Sequence, residues 1–433
     1  MNYYSLEGNA PPVSFKEAVI NGIAPDKGLY FPESINPLPT GFFNELTTLS
    51  KNEIAFQLIQ PFVGSSIPQE TLENIINETL DFEFPLIPLT DRISSLELYH
   101  GPTLAFKDVG ARFMARCLGY FAALDSKKKE ITVLVATSGD TGGAVANGFL
   151  GVEGVTVVIL YPSGKVSEIQ EKQLTTLGKN ITALEVDGTF DNCQNMVKNA
   201  FVDPEITTKR TLTSANSINV ARWLPQSFYY LFALQQLKER SNPPVFSVPS
   251  GNFGNICAGM VAYKLGMPVT HFVASVNSNA VVPDYLKTGS YAPQQSIATI
   301  SNAMDVGDPS NFVRIQKLFE NDFGKLSQML TSYSFSDTET RAAIEELYER
   351  FNYLADPHGA VGYLGLQKYL SAHPNAQGIF LETAHPIKFL DTVEAVIDKK
   401  VTIPNAIEEL IQKKKKSVAI KNYSEFKAFM LHS

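Results

Sequence analysis

Apolar positions along this chain follow two periods. In the first quarter they recur at helical spacing. Residues 14–20 (SFKEAVI) read as a helix start, with Ser14 and Glu17 in capping-box spacing. Residues 26–32 (DKGLYFP) read as a turn and a short extended piece, and 52–60 and 68–80 as further helices. After residues 100–108 (HGPTLAFKD), Val109, Phe113, Cys117 and Phe121 recur every four residues, with Met114 and Leu118 beside them, which predicts a helix with one apolar face. From residue 131 the pattern changes. Stretches 131–137, 155–161 and 181–186 are short β-branched runs of the kind that form buried strands, and 212–216 is a fourth. A second series follows at 245–249, 271–276 and 378–382, again with helical stretches between. Strands alternating with helices predict mostly parallel sheets in an α/β protein.

This order suggests three divisions: a mixed helical region over 1–95, a smaller α/β sub-domain over 96–225, and a larger one over 226–433. A cleft between two such sub-domains is the natural ligand site. No repeat at a solenoid period is present.

Composition narrows the function. The 433 residues are 44% hydrophobic and 18% charged, enough to bury a sizeable core. A net charge of −8 argues against nucleic acid as a partner. The lysine runs 127–129 and 413–416 read as solvated faces. Three cysteines, Cys117, Cys193 and Cys257, lie far apart and match no disulfide or zinc pattern. No signal-like start and no apolar run of about 18 residues is seen, so the expectation is a cytoplasmic protein acting on a small molecule, away from membranes. Oligomeric state stays open.

Four stretches carry candidate chemistry. Lys107 sits between a tight Gly-Pro loop and an apolar helix, with Asp108 suited to the helix start. Desolvation there lowers a lysine's pKa and yields the neutral amine that Schiff-base chemistry needs. On its own, a lysine before a helix is most often solvated. Residues 250–255 (SGNFGN) form a strand-to-helix turn in which Gly251 and Gly254 allow close backbone approach and the helix N-terminus offers N–H groups. The turn suits a phosphate, and equally a plain glycine-rich connection. Residues 138–143 (SGDTGG) lie at a similar junction, with a helix expected from 144; they suit a carboxylate or a simple helix cap, and Asp140 repels an anion unless it points away. Residues 382–389 (ETAHPIKF) close the last strand, where His385 reads as a packed or exposed histidine. The six histidines show no metal spacing, so no metal is expected.

Read together, the chain resembles the threonine synthase family of fold-type II pyridoxal-phosphate enzymes, in its bacterial and fungal form with an extended N-terminal region. The stretches that carry the resemblance are 14–32 (SFKEAVINGIAPDKGLYFP), 100–108 (HGPTLAFKD), 136–145 (ATSGDTGGAV), 214–222 (SANSINVAR), 248–255 (VPSGNFGN), 356–360 (DPHGA) and 383–389 (TAHPIKF). They occur in family order and span nearly the whole chain. Two departures are the start at 3–9 (YYSLEGN), where the family commonly has Ser-Thr-Arg-Gly, and Ile387 in place of the usual Ala. Neither touches the lysine or the glycine turn.

The resemblance implies a tryptophan synthase β-like fold: two parallel-sheet α/β sub-domains behind an N-terminal mixed helical region. It implies that Lys107 carries pyridoxal phosphate, that Gly251, Asn252, Phe253, Gly254 and Asn255 cradle its phosphate, and that Thr383 bonds its ring nitrogen. Ser138, Asp140 and Thr141 would lie near the substrate carboxylate and the ring hydroxyl. The implied reaction converts O-phospho-L-homoserine and water to L-threonine and phosphate. The leaving phosphate needs fixed positive charge. Arg222 and Lys388 are the candidate cations, Ser217 and Asn219 the neutral donors, and Arg112 a third cation. Alternatively, Arg222 and Lys388 pair with carboxylates and only hold loops. Two other functions stay open at this point: another fold-type II lyase, such as a serine/threonine dehydratase or a cysteine-synthase-like enzyme, and a non-catalytic binder of a phosphorylated amino acid.

Overall fold

A computed structural model describes residues 1–125 and 130–432. The lysine run 127–129 lies outside the described residues. Two sheets organise the molecule. One has five parallel strands in the order Val418–Ile420, Ile181–Val186, Val155–Pro162, Ile131–Ala136, Thr211–Ser214. The other has six, in the order Leu330–Ser334, His271–Val276, Val245–Pro249, Gly378–Glu382, Ile93–Glu97, Leu86–Pro88, all parallel except the last pair. Ile131–Ala136, Val245–Pro249, His271–Val276 and Gly378–Glu382 are buried along their whole length, which is why they read as mostly apolar runs rather than alternating ones.

Sheet membership cuts across the expected divisions in two places. Leu86–Pro88 and Ile93–Glu97, at or before the expected boundary at 95/96, belong to the six-stranded sheet beside Gly378–Glu382. At the other end, Val418–Ile420 leaves the 226–433 division and pairs with Ile181–Val186. The helix Tyr423–His432 follows it, burying Phe426 and Met430 against Leu134, Val158 and Leu184 of the five-stranded sheet. The three-residue strand is too short to signal its partner by periodicity.

The N-terminal region contributes a small antiparallel sheet, Val13–Ser14, Asn2–Ser5, Tyr30–Pro32. Its first helix, Phe15–Asn21, starts in the expected capping box of Ser14 and Glu17. Tyr3 donates its hydroxyl to the Phe62 carbonyl at 2.8 Å, tying this sheet to the helix Lys51–Val63. The lysine run at 413–416 is only partly solvated. Lys415 Nζ reaches Glu171 at 2.6 Å and Glu185 at 2.8 Å, pinning the C-terminal segment to the five-stranded sheet. No helix among the described residues is long and apolar enough to cross a membrane.

Candidate active site

Lys107 opens the helix Lys107–Ala123. The loop before it is held on both sides. Thr103 donates its N–H to Asp108 Oδ2 at 2.9 Å and its hydroxyl to Oδ1 at 2.5 Å. Phe106 N–H donates to the Thr383 carbonyl at 2.9 Å, and His385 N–H to the Leu104 carbonyl at 3.0 Å. The Tyr229 hydroxyl donates to the Phe106 carbonyl. These bonds stitch the lysine loop to the chain leaving Gly378–Glu382, so Lys107 and Thr383 share one wall of a cavity of about 590 Å³. That volume suits a cofactor with a small substrate. Lys107 is half-buried and lines this cavity. Burial brings its pKa down to about 8; Asp140 opposes the shift, and Lys388 and Arg222 add to it. About a tenth of the amine is therefore neutral at pH 7, roughly a hundredfold or more above an ordinary lysine.

Across the cavity, residues 251–255 form the turn that opens the helix Gly254–Lys264, and Gly251, Asn252, Phe253, Gly254 and Asn255 all line it. A Cβ at Gly251 would sit 2.7 Å from the Ala303 carbonyl oxygen and 2.9 Å from Met304 Cα, so only glycine lets the 301–306 turn close on this one. Phe253 takes a left-handed conformation, φ 60°, sustained by edge-on packing on Phe312. The Asn255 side chain serves the turn itself: its amide donates to the Pro249 carbonyl at 2.8 Å and its oxygen accepts from Ile256 N–H at 2.9 Å. One hydrogen of the Asn255 amide is thereby committed to the turn.

Ser138 and Thr141 line the same cavity at the N-terminus of the helix Asp140–Gly148. This helix begins four residues before the expected position. Thr137 Oγ1 accepts the N–H groups of Gly139 at 2.9 Å and Gly142 at 2.8 Å, and Gly139 turns the chain at φ 140°. Gly142 and Gly143 are then helical; a Cβ at Gly142 would sit 2.6 Å from Thr137 Cγ2. The glycines serve close packing here, which the sequence pattern cannot distinguish from a turn.

Several expected site residues lie behind the wall rather than on it. Asp140 is buried and accepts from Lys388 Nζ at 2.7 Å and Gln170 Nε2 at 2.9 Å. Burial acts to raise its pKa, but Lys388 and Lys107 outweigh it and hold the carboxyl below its usual range. Lys388 also donates to the Thr103 carbonyl at 2.8 Å and is fully enclosed. It is a counter-ion to Asp140, the loop-holding alternative, and not a cavity cation. Asn219 is a helix cap: it accepts from Ala221 N–H and donates to the Val19 and Ser214 carbonyls. Arg112 pairs with Asp81 at 2.7 Å, on the flank of its helix. His385 is packed on Tyr99, and its pKa is pushed down to about 4, chiefly by burial and then by His100.

Arg222 and Ser217 do reach the cavity. Arg222 is buried, with Nη1 donating to the Ala215 carbonyl at 2.5 Å and Nε left without a partner. Burial lowers its pKa to about 10 against the opposing pull of Tyr229 and of the nearby Asp108 carboxylate, so it stays charged at neutral pH, and it forms no salt bridge among the described residues. Asn216 lines the cavity too, but its unpartnered atom is the side-chain oxygen, an acceptor that does not serve an anion, and its amide donates to the Ala136 carbonyl at 3.4 Å. A charged donor with no salt-bridge contact beside a cavity is a seat for an anion.

Two contributors escape the sequence reading. Asn216 lines the cavity from inside the SANSINVAR stretch, where the sequence does not distinguish it from Ser217 and Asn219. His358 reaches the cavity from the helix Pro357–Ala372, its Nδ1 2.5 Å from Asp356 Oδ1 and its Nε2 accepting from Ala303 N–H at 3.2 Å. The DPHGA stretch is the signal for it. The 295–306 segment, which supplies Thr299, Ala303 and Asp305 to the wall, carries no motif at all.

A lysine with a lowered pKa, a glycine-closed turn at a helix N-terminus and a hydroxyl at Thr383 fit pyridoxal phosphate: an amine for its aldehyde, a cup for its phosphate and a neutral partner for its ring. The comparisons agree. The family model described as pyridoxal-phosphate dependent enzyme matches residues 95–380, which defines the class. Models of the threonine synthase N terminus and C-terminal region match residues 2–80 and 359–430. Threonine synthase of Haemophilus influenzae is 43% identical over 435 residues, covering 100% of both chains. The crystal structure of threonine synthase from Escherichia coli superposes with a TM-score of 0.93 at 40% identity over 100% of both chains. That of PLP-bound threonine synthase from Brucella melitensis gives 0.92 at 33% identity, over 100% of this chain and 99% of the other. The chain belongs to the threonine synthase family. Its cofactor is pyridoxal phosphate.

Proposed function

We propose that this enzyme converts O-phospho-L-homoserine and water to L-threonine and inorganic phosphate, with Lys107 as the residue that carries the cofactor and moves the protons. The observation that supports this best is the pair of anion seats around one lysine. The turn at Gly251–Asn255 suits the cofactor phosphate, and Arg222 with the Ser217 hydroxyl suits a second phosphate on the substrate. A dehydratase acting on serine or threonine has no second phosphate to bind.

The cofactor, when bound, supplies the electron sink for carbanions at the substrate. The chain supplies the rest. Lys107 Nζ takes the Cα proton, a role suited to an amine whose pKa lies near 8. Ser138, Thr141 and the first-turn N–H groups of the helix Asp140–Gly148 hold the substrate carboxylate. Arg222 and Ser217 steady the phosphate as its C–O bond at Cγ breaks. Loss of one Cβ proton drives that cleavage; Cγ then gains a proton to become the methyl group, the hydroxyl of water bonds to Cβ, and a proton returns to Cα, with Lys107 Nζ the group placed to carry these protons. Thr383 accompanies the ring nitrogen as a neutral hydroxyl.

The test is the assay of phosphate release and threonine formation from O-phospho-L-homoserine with pyridoxal phosphate. Both products are expected in equal amounts, and Lys107→Ala should abolish them. Borohydride reduction of the loaded enzyme should fix the cofactor on Lys107. Ammonia and a keto acid from serine, with no turnover of the phosphorylated substrate, would instead establish a dehydratase.

A further inference from the structure

Asn311 belongs to none of the sequence stretches singled out above, yet it joins both anion seats. It is fully buried just before the helix Phe312–Leu318. Its backbone N–H donates to the Asn252 carbonyl of the glycine turn at 3.1 Å. Its side-chain oxygen accepts from Arg314 Nη1 at 2.7 Å, and its side-chain nitrogen donates to Ser217 Oγ at 3.2 Å. The polarity of this chain of bonds is forced. A guanidinium only donates, so the amide oxygen faces Arg314 and the NH₂ faces Ser217. Ser217 Oγ therefore accepts from Asn311. Its own hydrogen meets no acceptor among the described residues and is left for the cavity that Ser217 lines.

Arg314 is itself locked. Nη2 donates to the Tyr30 carbonyl at 2.8 Å and the Ile218 carbonyl at 2.7 Å, and the guanidinium lies 4.3 Å from the Trp223 ring. No carboxylate pairs with it among the described residues. The Tyr30 carbonyl belongs to the N-terminal sheet, so that region reaches the site through Arg314.

We infer that Asn311, fixed by Arg314, is a positioning residue that turns the Ser217 hydroxyl outward as a hydrogen-bond donor to the substrate phosphate. The inference rests on the proposal that Ser217 meets that phosphate. A donor facing an anion binds it; the same hydroxyl turned inward would present lone pairs and repel it.

Asn311→Asp tests this in the holoenzyme. Aspartate keeps the shape and its bond to Arg314, but its second oxygen can only accept, so it draws the Ser217 hydrogen away from the cavity. The KM for O-phospho-L-homoserine should rise at least tenfold, with kcat within about threefold of wild type. Cofactor titration and the urea midpoint should stay unchanged. Ser217→Ala should raise KM comparably, and the double variant should be no worse than the poorer single one, because both remove the same donor. A wild-type KM in Asn311→Asp, or KM effects that multiply in the double variant, would overturn the positioning role; multiplication would mean that the new charge acts directly. If Asn311→Asp does not fold, Asn311→Ala, which frees the hydroxyl to rotate without adding charge, should show the same non-additivity, and multiplying effects there would overturn the role as well. A wild-type KM in Ser217→Ala would overturn the phosphate contact itself, and with it this inference, separately from any defect at Asn311.

Discussion

At the scale of single residues, burial decides which cations face substrate. Arg222 and Lys388 both follow motif positions, but only Arg222 lines the cavity without an ion pair. Lys388 is enclosed against Asp140 at 2.7 Å. Removing one partner of such a pair leaves a buried charge uncompensated. Lys388→Met should therefore cost about 3–5 kcal/mol of stability at pH 7, measured by urea unfolding. The pH dependence follows from Asp140. Its folded pKa is depressed by Lys388 and Lys107, so its contribution is present above the unfolded value of about 3.9 and is lost only as pH falls below that. Without Lys388 the carboxyl takes up its proton more readily in the folded state. The deficit of the variant should thus narrow as pH is lowered toward 4. A deficit that is constant with pH would mean that Lys388 acts through packing alone.

At the scale of elements, glycines set how closely the turns approach one another. The Gly251 turn and the 301–306 turn touch through backbone atoms, with 2.7 Å from a Gly251 Cβ to the Ala303 oxygen. A methyl group there cannot be absorbed by a side-chain rotation. Gly251→Ala should push the two turns apart at a cost of about 1–3 kcal/mol, the usual price of overpacking. Because the 301–306 turn is itself anchored, with Met304 packed on Phe335 and Val361, the displacement falls on the Gly251 turn, and the expected readout is cofactor affinity, lowered roughly five- to 150-fold for that energy, with a smaller change in the urea midpoint. Normal cofactor titration with lost stability would make the turn purely structural.

At the scale of the whole molecule, the chain crosses between its sheets more often than a linear division suggests. It enters the six-stranded sheet at Leu86–Pro88 and Ile93–Glu97, builds most of the five-stranded one, returns to the six-stranded one, and ends on the five-stranded one at Val418–Ile420. Lys107 lies in the connection between Ile93–Glu97 and Ile131–Ala136, where the chain passes from one sheet to the other. The C-terminal clasp, with Phe426 fully buried against the five-stranded sheet, closes this circuit. Phe426→Ala should cost about 3–5 kcal/mol in urea unfolding while leaving the KM for O-phospho-L-homoserine unchanged, since the site is built elsewhere. A changed KM would show that the clasp bears on the cavity.

The strands 245–249, 271–276 and 378–382 were legible residue for residue, because a strand buried on both faces is apolar at most positions and stops where the chain turns. The Ser14–Glu17 cap and the helix after Lys107 were legible for an equally local reason: spacing and capping act within a few residues. The lysine and the glycine turn were readable as chemistry because their residue types restrict what the backbone and the amine can do. Other features depend on partners hundreds of residues apart. Lys388 meets Asp140, Tyr30 meets Arg314, and Ile420 meets Val186 only once the chain has folded. The same four atoms of a lysine stem and one ammonium make a phosphate ligand or a buried counter-ion, and no local pattern separates the two. Which carboxylate the folded chain brings alongside is what decides it.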